Sequence, residues 1–502
     1  MEEWLNPCLN ADEMRATDAW AINDRGVPGL KLMETAGWAV AEAAAQTSRS
    51  GRAVVICGKG NNGGDGLVAA RALAEMGFEV DALLLAPAEG LSEDAKANLN
   101  RFAGAREVGP GELSEAMSGA GVVIDAIFGT GFAGSPRDPA AAAIDAMNEA
   151  EAPVIATDIA SGVNASTGEV DGHAVAADVT VTFHAPKLGH WISPGKDHTG
   201  DLRVAPIGIP DGAPVEAVGG LIDPRVLELL PHRAPGSTKF TSGQVVIVGG
   251  SRGLTGAVCL SALGAIRSGA GYATVAVPAD LESIFEVKLT EAMSLGCASR
   301  DGRLRPAASE QVLGATERAA CVVLGSGMGR EQGTQRLAQE LTQRIEAPLV
   351  LDADGLNAHA GKIETLATRR EPLILTPHAG EMARLLQTDS DAIEARRLES
   401  AREAARRSGA IVLLKGDDTI VTDGERIAIK SIASSQLATA GTGDVLTGVI
   451  AALVARGLEP FTATCAAAVA HARAGRDAGE RIGDDSVIAG DVIDSMPAGL
   501  AP

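Results

Sequence analysis

Short apolar runs alternate with stretches of helical periodicity along most of the chain. In the first half the runs fall at residues 53–57, 80–86, 121–128, 153–158 and 179–183, after a helical segment over 11–46. A second series begins past a junction at 211–224 rich in Gly, Pro and Ala. Its runs fall at 245–248, 274–277, 321–324, 349–352, 373–375 and 411–414, with helices between them such as 391–407. Strand-length runs alternating with helices specify βαβ units, hence parallel sheets covered on both faces. The pattern therefore predicts an α/β protein of two tandem three-layer domains, over 1–215 and 225–502. A chain of 502 residues is long for one core, and 46% hydrophobic residues supply two. No internal repeat relates the halves.

In such sheets ligands collect where strands end, so the residues after each run carry the chemistry. After 53–57 comes Gly58-Lys-Gly-Asn-Asn-Gly-Gly-Asp-Gly66, five glycines in nine residues. That density predicts exposed amides at a helix start, suited to phosphate, with no packing role for the glycines. The third run leads into Asp125 and the small-residue loop through Gly129, Gly131 and Gly134 to Ser135. The fourth ends at Asp158 and Ser161, and the fifth leads to Lys187. Asn62, Asp125 and Ser161 offer hard oxygen ligands of low total charge, as a monovalent cation prefers. Asp158 is the candidate acid/base. Helix capping is the plainer role for Asp125 and Asp158, and a solvated surface position the plainer one for Lys187.

In the second half, Leu446, Val449, Ile450 and Leu453 keep helical spacing after Gly441-Thr-Gly-Asp444, and Gly457 suits the helix end. Amides at that helix start suit the charge of a transferring phosphoryl group, and Asp444 can accept the proton of an attacking hydroxyl. The 325–329 loop, Asp352, Asp354, His378, Glu381, Lys415 and Thr419 follow other strands. His378 reads equally well as a structural histidine.

Composition removes other classes. A net charge of −22 repels a phosphate backbone, and 3% aromatics leaves little for base stacking, so nucleic acid is not the partner. Six dispersed cysteines, an N-terminus without signal character and no apolar run of bilayer length predict a cytoplasmic protein with no membrane partner.

The first-half motifs, Asn61 to Gly66, Asp125 with 129–131, Asp158 with Ser161-Gly162, and Ala185-Pro-Lys187, resemble the YjeF N-terminal family of NAD(P)H-hydrate epimerases over most of residues 1–210. The resemblance implies a Rossmann-like fold and a potassium ion near Asn62, Asp125 and Ser161. It further implies hydrate binding by Asn61, Asn62, Gly63, Gly64, Asp65, Gly129, Thr130, Gly131, Phe132, Ala133, Gly134, Ser135 and Asp158. Ala160 stands where that family usually has proline, which should loosen a turn slightly.

The second half is similar to the ribokinase-like, ADP-dependent NAD(P)H-hydrate dehydratases across about residues 225–495. The Gly-Thr-Gly-Asp element is shared with sugar and vitamin kinases, whereas its combination with Thr376-Pro-His378-Ala-Gly-Glu381 and Lys415-Gly-Asp-Asp-Thr419 is more specific. The resemblance implies hydrate contacts from Ala257, Gly327, His378 and Asp444, and ADP or AMP contacts from Lys415, Gly416, Asp417, Asp418, Thr419 and Gly443. Two departures stand out. Ser434-Ser435 replaces a Gly-Asn pair, and Asp417 with Asp418 adds negative charge to a nucleotide-binding turn.

Together the resemblances imply repair of hydrated NADH and NADPH, NADHX and NADPHX, by a homo-oligomer using ADP with Mg²⁺. The alternative is a ribokinase-type small-molecule kinase with a non-catalytic, nucleotide-binding N-terminal module.

Overall fold

The computed structural model describes residues 2–48 and 51–502. They divide into two compact units: Pro7–Gly220, and Leu221–Pro502 joined by Glu2–Asn6.

The first unit is built on seven parallel strands. Across the sheet they run Ala105–Glu107, Glu79–Leu84, Arg52–Cys57, Val122–Ala126, Val154–Thr157, Val179–Phe183 and Asp201–Ala205. The first-laid central strand is apolar from Ala53 to Cys57 because both its faces are covered there. Ala53, Val55 and Cys57 pack with Leu32, Val40, Ala69 and Leu73 of the helices Gly29–Thr47 and Asn61–Glu75. Val54 and Ile56 face the other way, onto Leu113, Ile144 and Met147. This two-residue alternation splits one run of hydrophobics between two cores. The chain lays strands outward from Arg52–Cys57 in one direction and then resumes at Val122–Ala126 on its other side. Strand order therefore reverses between these two neighbours, opening a crevice at their carboxyl ends.

Two features differ from the sequence expectation. The segment 11–46 is two helices, Ala11–Asn23 and Gly29–Thr47, because Gly26 takes φ +70° and Pro28 fixes the entry to the second. The edge strands Ala105–Glu107 and Asp201–Ala205 carry charged residues on exposed positions, so no apolar run marks them.

The second unit holds a larger sheet. Its strands from Ile427–Ile429 onward run Ile420–Thr422, Ile411–Leu414, Leu373–Leu375, Leu349–Leu351, Cys321–Leu324, Gln244–Val248, Tyr272–Pro278 and Met293–Cys297. The first two pairings are antiparallel and the rest parallel. One face is buried under Thr255–Arg267, Thr442–Ala455 and Pro460–Ile482, whose Val258, Ala262, Val445, Val449, Phe461 and Val469 share one core with Val245, Ile247 and Val323. The helix expected over 391–407 breaks at Arg396 (φ −136°, ψ 49°) into Ser390–Ala395 and Arg397–Ser408.

Candidate functional sites

The first site sits at the strand-order reversal. Helix Asn61–Glu75 begins directly after Gly60, and the glycines ahead of it and in its first turns do have a packing role, contrary to expectation. A carbon added at Gly63 would lie 1.9 Å from the Gly58 carbonyl oxygen, and one at Gly58 2.1 Å from that of Ile127. One at Gly66 would meet Ala126 at 2.5 Å, whereas Gly60 has nothing within 4 Å. The glycines let the helix start press against the loop that follows the neighbouring strand. That closeness puts the residues after Cys57 and those after Ala126 around one cavity of about 510 Å³.

Among the resemblance-implied residues, Asn61, Asn62, Asp65, Gly129, Thr130, Gly131, Phe132 and Asp158 line it. Gly63 and Gly64 are buried behind the wall, and Ala133, Gly134 and Ser135 continue the loop beyond the lining. Asp125 is fully buried. It accepts hydrogen bonds from Ser161 Oγ (2.6 Å), Ser161 N (2.8 Å) and Ile127 N (3.2 Å), so it ties two strand ends together instead of capping a helix. Burial raises its carboxyl to about 6 despite these bonds. Asn62, against Gly129 of the facing loop, is buried too, and its Nδ2 has no partner among the described residues.

Asp158 occupies the left-handed region, at φ +69°, which costs a non-glycine residue energy. Lys187, read as a surface lysine, is fully buried against it. Its Nζ donates to Asp158 Oδ1 (2.5 Å), Thr182 Oγ1 (2.8 Å) and the Phe183 carbonyl (3.0 Å). Burial opposes ionisation of Asp158, but the Lys187 charge and hydrogen bond outweigh it, so the carboxyl stays below its ordinary range. His190 is buried behind the pair. The Lys187 amide donates to His190 Nδ1 (3.0 Å), which leaves Nε2–H to donate to the Asp158 carbonyl (3.0 Å). Burial, then the Lys187 charge, lowers this imidazole to about 3, so it is neutral.

Sequence reasoning missed Asp18. From helix Ala11–Asn23 it lines the same cavity, and burial, then the Asp158 charge, raises it to about 6. Asp65 is raised well above the usual range by burial, then by Asp158 and Asp18. Nothing in the local pattern distinguishes Asp18 from other polar helix positions.

The second site surrounds the start of helix Thr442–Ala455. Gly441, at φ +92°, precedes it, and Leu260 would meet an added carbon there at 2.5 Å. Asp444 lies in the first turn, hydrogen-bonded to the Ser326 side chain. Burial, then the Asp352 charge, raises it to about 6. Lys415 Nζ donates to Asp352 Oδ1 (2.7 Å), while Thr376 (2.8 Å) and Thr447 (3.0 Å) donate to the same carboxylate. Burial alone would lower the Lys415 ammonium, but Asp352 and Glu381 raise it, so it stays charged.

Lys415, Gly416, Asp417, Thr419 and Gly443 line a cavity of about 400 Å³, joined by Lys430, Ser434, Ser435 and His471. Asp418 does not. Its carboxylate is buried in an ion pair with Arg397 at 2.8 Å, so it adds no free charge to the cavity, as the sequence had suggested it would; Asp417 alone is exposed. Gly327 takes φ +62° and lies against Ala257, at 3.2 Å from an added carbon to its Cβ. The His378 side chain is 56% exposed and caps helix Ala379–Leu386, its Nδ1 accepting from Gly380 N (3.0 Å). None of the four residues expected to contact the hydrate, Ala257, Gly327, His378 and Asp444, borders the 400 Å³ cavity. Lys430 and His471 escaped sequence reading, because the first sits in a short strand-end segment and the second in an alanine-rich buried helix.

Two catalytic-type sites on two α/β units define a bifunctional class, and comparison with known proteins agrees. Residues 29–189 match the family described as YjeF-related protein N-terminus, and residues 245–498 match NAD(P)H-hydrate dehydratase. The Bifunctional NAD(P)H-hydrate repair enzyme Nnr of Moorella thermoacetica is 39% identical, over 97% of this chain and 96% of its own length. Its Escherichia coli namesake is 32% identical over 97% and 92%. The ADP/ATP-dependent NAD(P)H-hydrate dehydratase of Bacillus subtilis, co-crystallised with ATP/Mg2+, is 26% identical with a TM-score of 0.48, covering 55% of this chain and 94% of that one. The chain belongs to the bifunctional NAD(P)H-hydrate repair enzyme family. Its N-terminal unit, which matches the YjeF-related model, has the strand-order reversal of a Rossmann-like sheet, and its C-terminal unit matches the dehydratase model.

Proposed function

We propose that the chain restores hydrated NADH and NADPH through both of its units, the first interconverting the C6 epimers and the second dehydrating the S form at the expense of ADP. What carries the reading is the likeness to bifunctional repair enzymes along nearly the whole chain, which spans both sites. A free-standing kinase with a non-catalytic module has no comparable support.

Carbon C6 of the hydrate bears a hydroxyl and a ring nitrogen. Inversion there breaks one of these bonds and remakes it on the opposite face, so a proton must be taken from one heteroatom and returned to another. Asp158, kept ionised by Lys187, is the base, and Asp18, raised to about 6 on another element of the same cavity, is suited to return the proton. His190 holds the Asp158 backbone in its left-handed turn. The environment of Asp125 fits a potassium ion: a fully buried carboxylate whose hydrogen-bond partners, Ser161 and Ile127, are neutral, so that a monovalent charge would offset the burial that raises it. Asn62, Asp125 and Ser161 would hold the ion, whose charge would offset the carboxylate and attract the diphosphate of the substrate.

In the second unit Asp444, raised to about 6, takes the C6 hydroxyl proton as the hydroxyl oxygen attacks the terminal phosphorus of ADP. AMP leaves. The new phosphate ester then loses phosphate and a proton to form the ring double bond, which hydroxide as leaving group would not allow. Gly443 and Lys415 supply amide and ammonium donors to the phosphates. Among the described residues no three His, Cys, Asp or Glu converge as a metal cage, and Asp352 is already engaged by Lys415 and two threonines. Mg²⁺ therefore fits as a partner of the nucleotide phosphates, supplying charge neutralisation. The six buried free cysteines accord with a reducing compartment such as the cytoplasm.

The test incubates the protein with mixed NADHX epimers, ADP and Mg²⁺, and follows reduced-nicotinamide absorbance with AMP release. Conversion of both epimers is expected. Consumption of the S form alone would remove the first activity, and no recovery with ADP or ATP would remove the second.

A further inference from the structure

Two lysines line the cavity of the second unit, and the register of the sheet sets them side by side. Leu414 pairs with Ile420, and Ile420 with Ile429, so the strands Ile411–Leu414 and Ile427–Ile429 stop level with each other. Lys415 and Lys430 are the next residues of each, two strand spacings apart, on the order of 10 Å. The Lys430 amide donates to the Thr419 carbonyl (2.9 Å), which carries the pairing one residue further and fixes where its side chain leaves the sheet.

The two ammoniums are not equivalent. Lys415 Nζ donates to Asp352 Oδ1 at 2.7 Å and stands 3.4 Å from where a carbon on Gly443, next to Asp444, would lie. It therefore serves the end of the cavity where the phosphoryl group is transferred, with a carboxylate already offsetting its charge. The strand of Lys430 lies two places further along the sheet, on the side away from Asp352 and from Thr447, which ties the Asp444 helix to it. Lys430 is 5% exposed, and its Nζ donates to Ser434 Oγ at 3.0 Å. Ser434 is buried too, and belongs to the Ser434-Ser435 pair that stands in place of Gly-Asn. A hydroxyl that accepts this bond keeps its own hydrogen to donate. Lysine and serine thus form an ammonium–hydroxyl pair on the cavity wall, both able to donate to one oxyanion.

We propose that Lys430, oriented by Ser434, binds the phosphate of ADP that remains in AMP, leaving Lys415 to the phosphate that is transferred. This deepens the ADP-dependent reading of the same cavity and rests on it. The charge balance calls for such a group. ADP brings two charged phosphates, Asp417 adds a carboxylate to the wall, and Asp352 offsets Lys415. Lys430 supplies the second positive charge that a diphosphate needs.

Calorimetric titration of the full chain with ADP and with AMP, Mg²⁺ present, supplies the test, with wild type, Lys430→Met, Lys430→Arg and Ser434→Ala compared. Methionine fills similar volume without the charge. Lys430→Met should therefore weaken ADP and AMP alike, by about 10–100-fold, the range for losing a hydrogen bond to a charged group. Lys430→Arg should recover part of that loss, and Ser434→Ala should weaken both nucleotides by a smaller factor. In the dehydration assay the KM for ADP should rise in Lys430→Met by more than kcat falls, as for a contact made equally before and during transfer. Unchanged ADP affinity in Lys430→Met would overturn the proposal. So would a loss confined to ADP, which would put Lys430 on the transferred phosphate, or a loss that arginine leaves untouched, the mark of packing. If wild type bound neither nucleotide, the ADP-dependent reading itself would fail. Thermal unfolding checks that the variants fold. If Lys430→Met unfolds, Lys430→Gln replaces it and is judged on the same comparison.

Discussion

Replacing Lys187 by methionine removes one charge from a pair with almost no water around it. The Lys187 side chain is fully buried and that of Asp158 is 12% exposed. Methionine fills similar volume, so the loss is mainly electrostatic: a carboxylate left buried without its cation. Breaking a buried pair in this way costs about 3–5 kcal/mol. For a domain of this size that lowers the transition of the first unit by roughly 6–20 °C. The pH dependence gives a sharper signature. In the wild type Asp158 lies below its ordinary range, so its stabilisation is present above about pH 4 and is lost as pH falls through the depressed value. Without Lys187 burial dominates and raises Asp158, so the variant's deficit should be greatest at neutral pH and shrink on acidification. Adding Asp158→Asn should recover part of the loss, since a neutral amide carries no charge to leave unpaired. The assay is unfolding followed by a probe specific to the first unit, across pH, for the single and double variants. A deficit independent of pH with no recovery in the double variant would refute the reasoning.

Three other outcomes follow from the same geometry. Because Asp125 is raised to about 6, its ionisation opposes folding above that pH, so potassium should stabilise the first unit at about pH 8, scarcely at about pH 5, and not at all in Asp125→Asn; melting curves with potassium or a large organic cation decide it. Asp444→Asn should lower the dehydration rate by about 10²–10⁴-fold while leaving epimer exchange and ADP binding intact, and the wild-type rate should rise with pH through about 6 as Asp444 ionises; coupled AMP assays across pH measure both. Gly63→Ala should cost about 1–3 kcal/mol, because its new carbon meets the Gly58 carbonyl at 1.9 Å, whereas Gly60→Ala, with nothing within 4 Å, should be nearly neutral; denaturant midpoints compare the pair.

Apolar runs and turn residues were enough to establish the α/β class, the two series of βαβ units and the central strands, because a parallel strand covered on both faces is a nearly continuous apolar run. Local chemistry also marked Asn62, Asp125, Asp158, Lys415 and Asp444, since each ends or follows a strand or opens a helix. Edge strands such as Asp201–Ala205 left no such mark, because an edge tolerates charge. Burial and pairing depend on residues distant in the chain, and only the tertiary structure decided them. It turned Lys187 from a surface lysine into the buried partner of Asp158, and it withdrew Asp418 into an ion pair with Arg397. It also brought Asp18 and His471 from helices without motifs to the walls of the two cavities. A side chain's charge state is set by what surrounds it in space, and sequence neighbours supply only part of that surrounding.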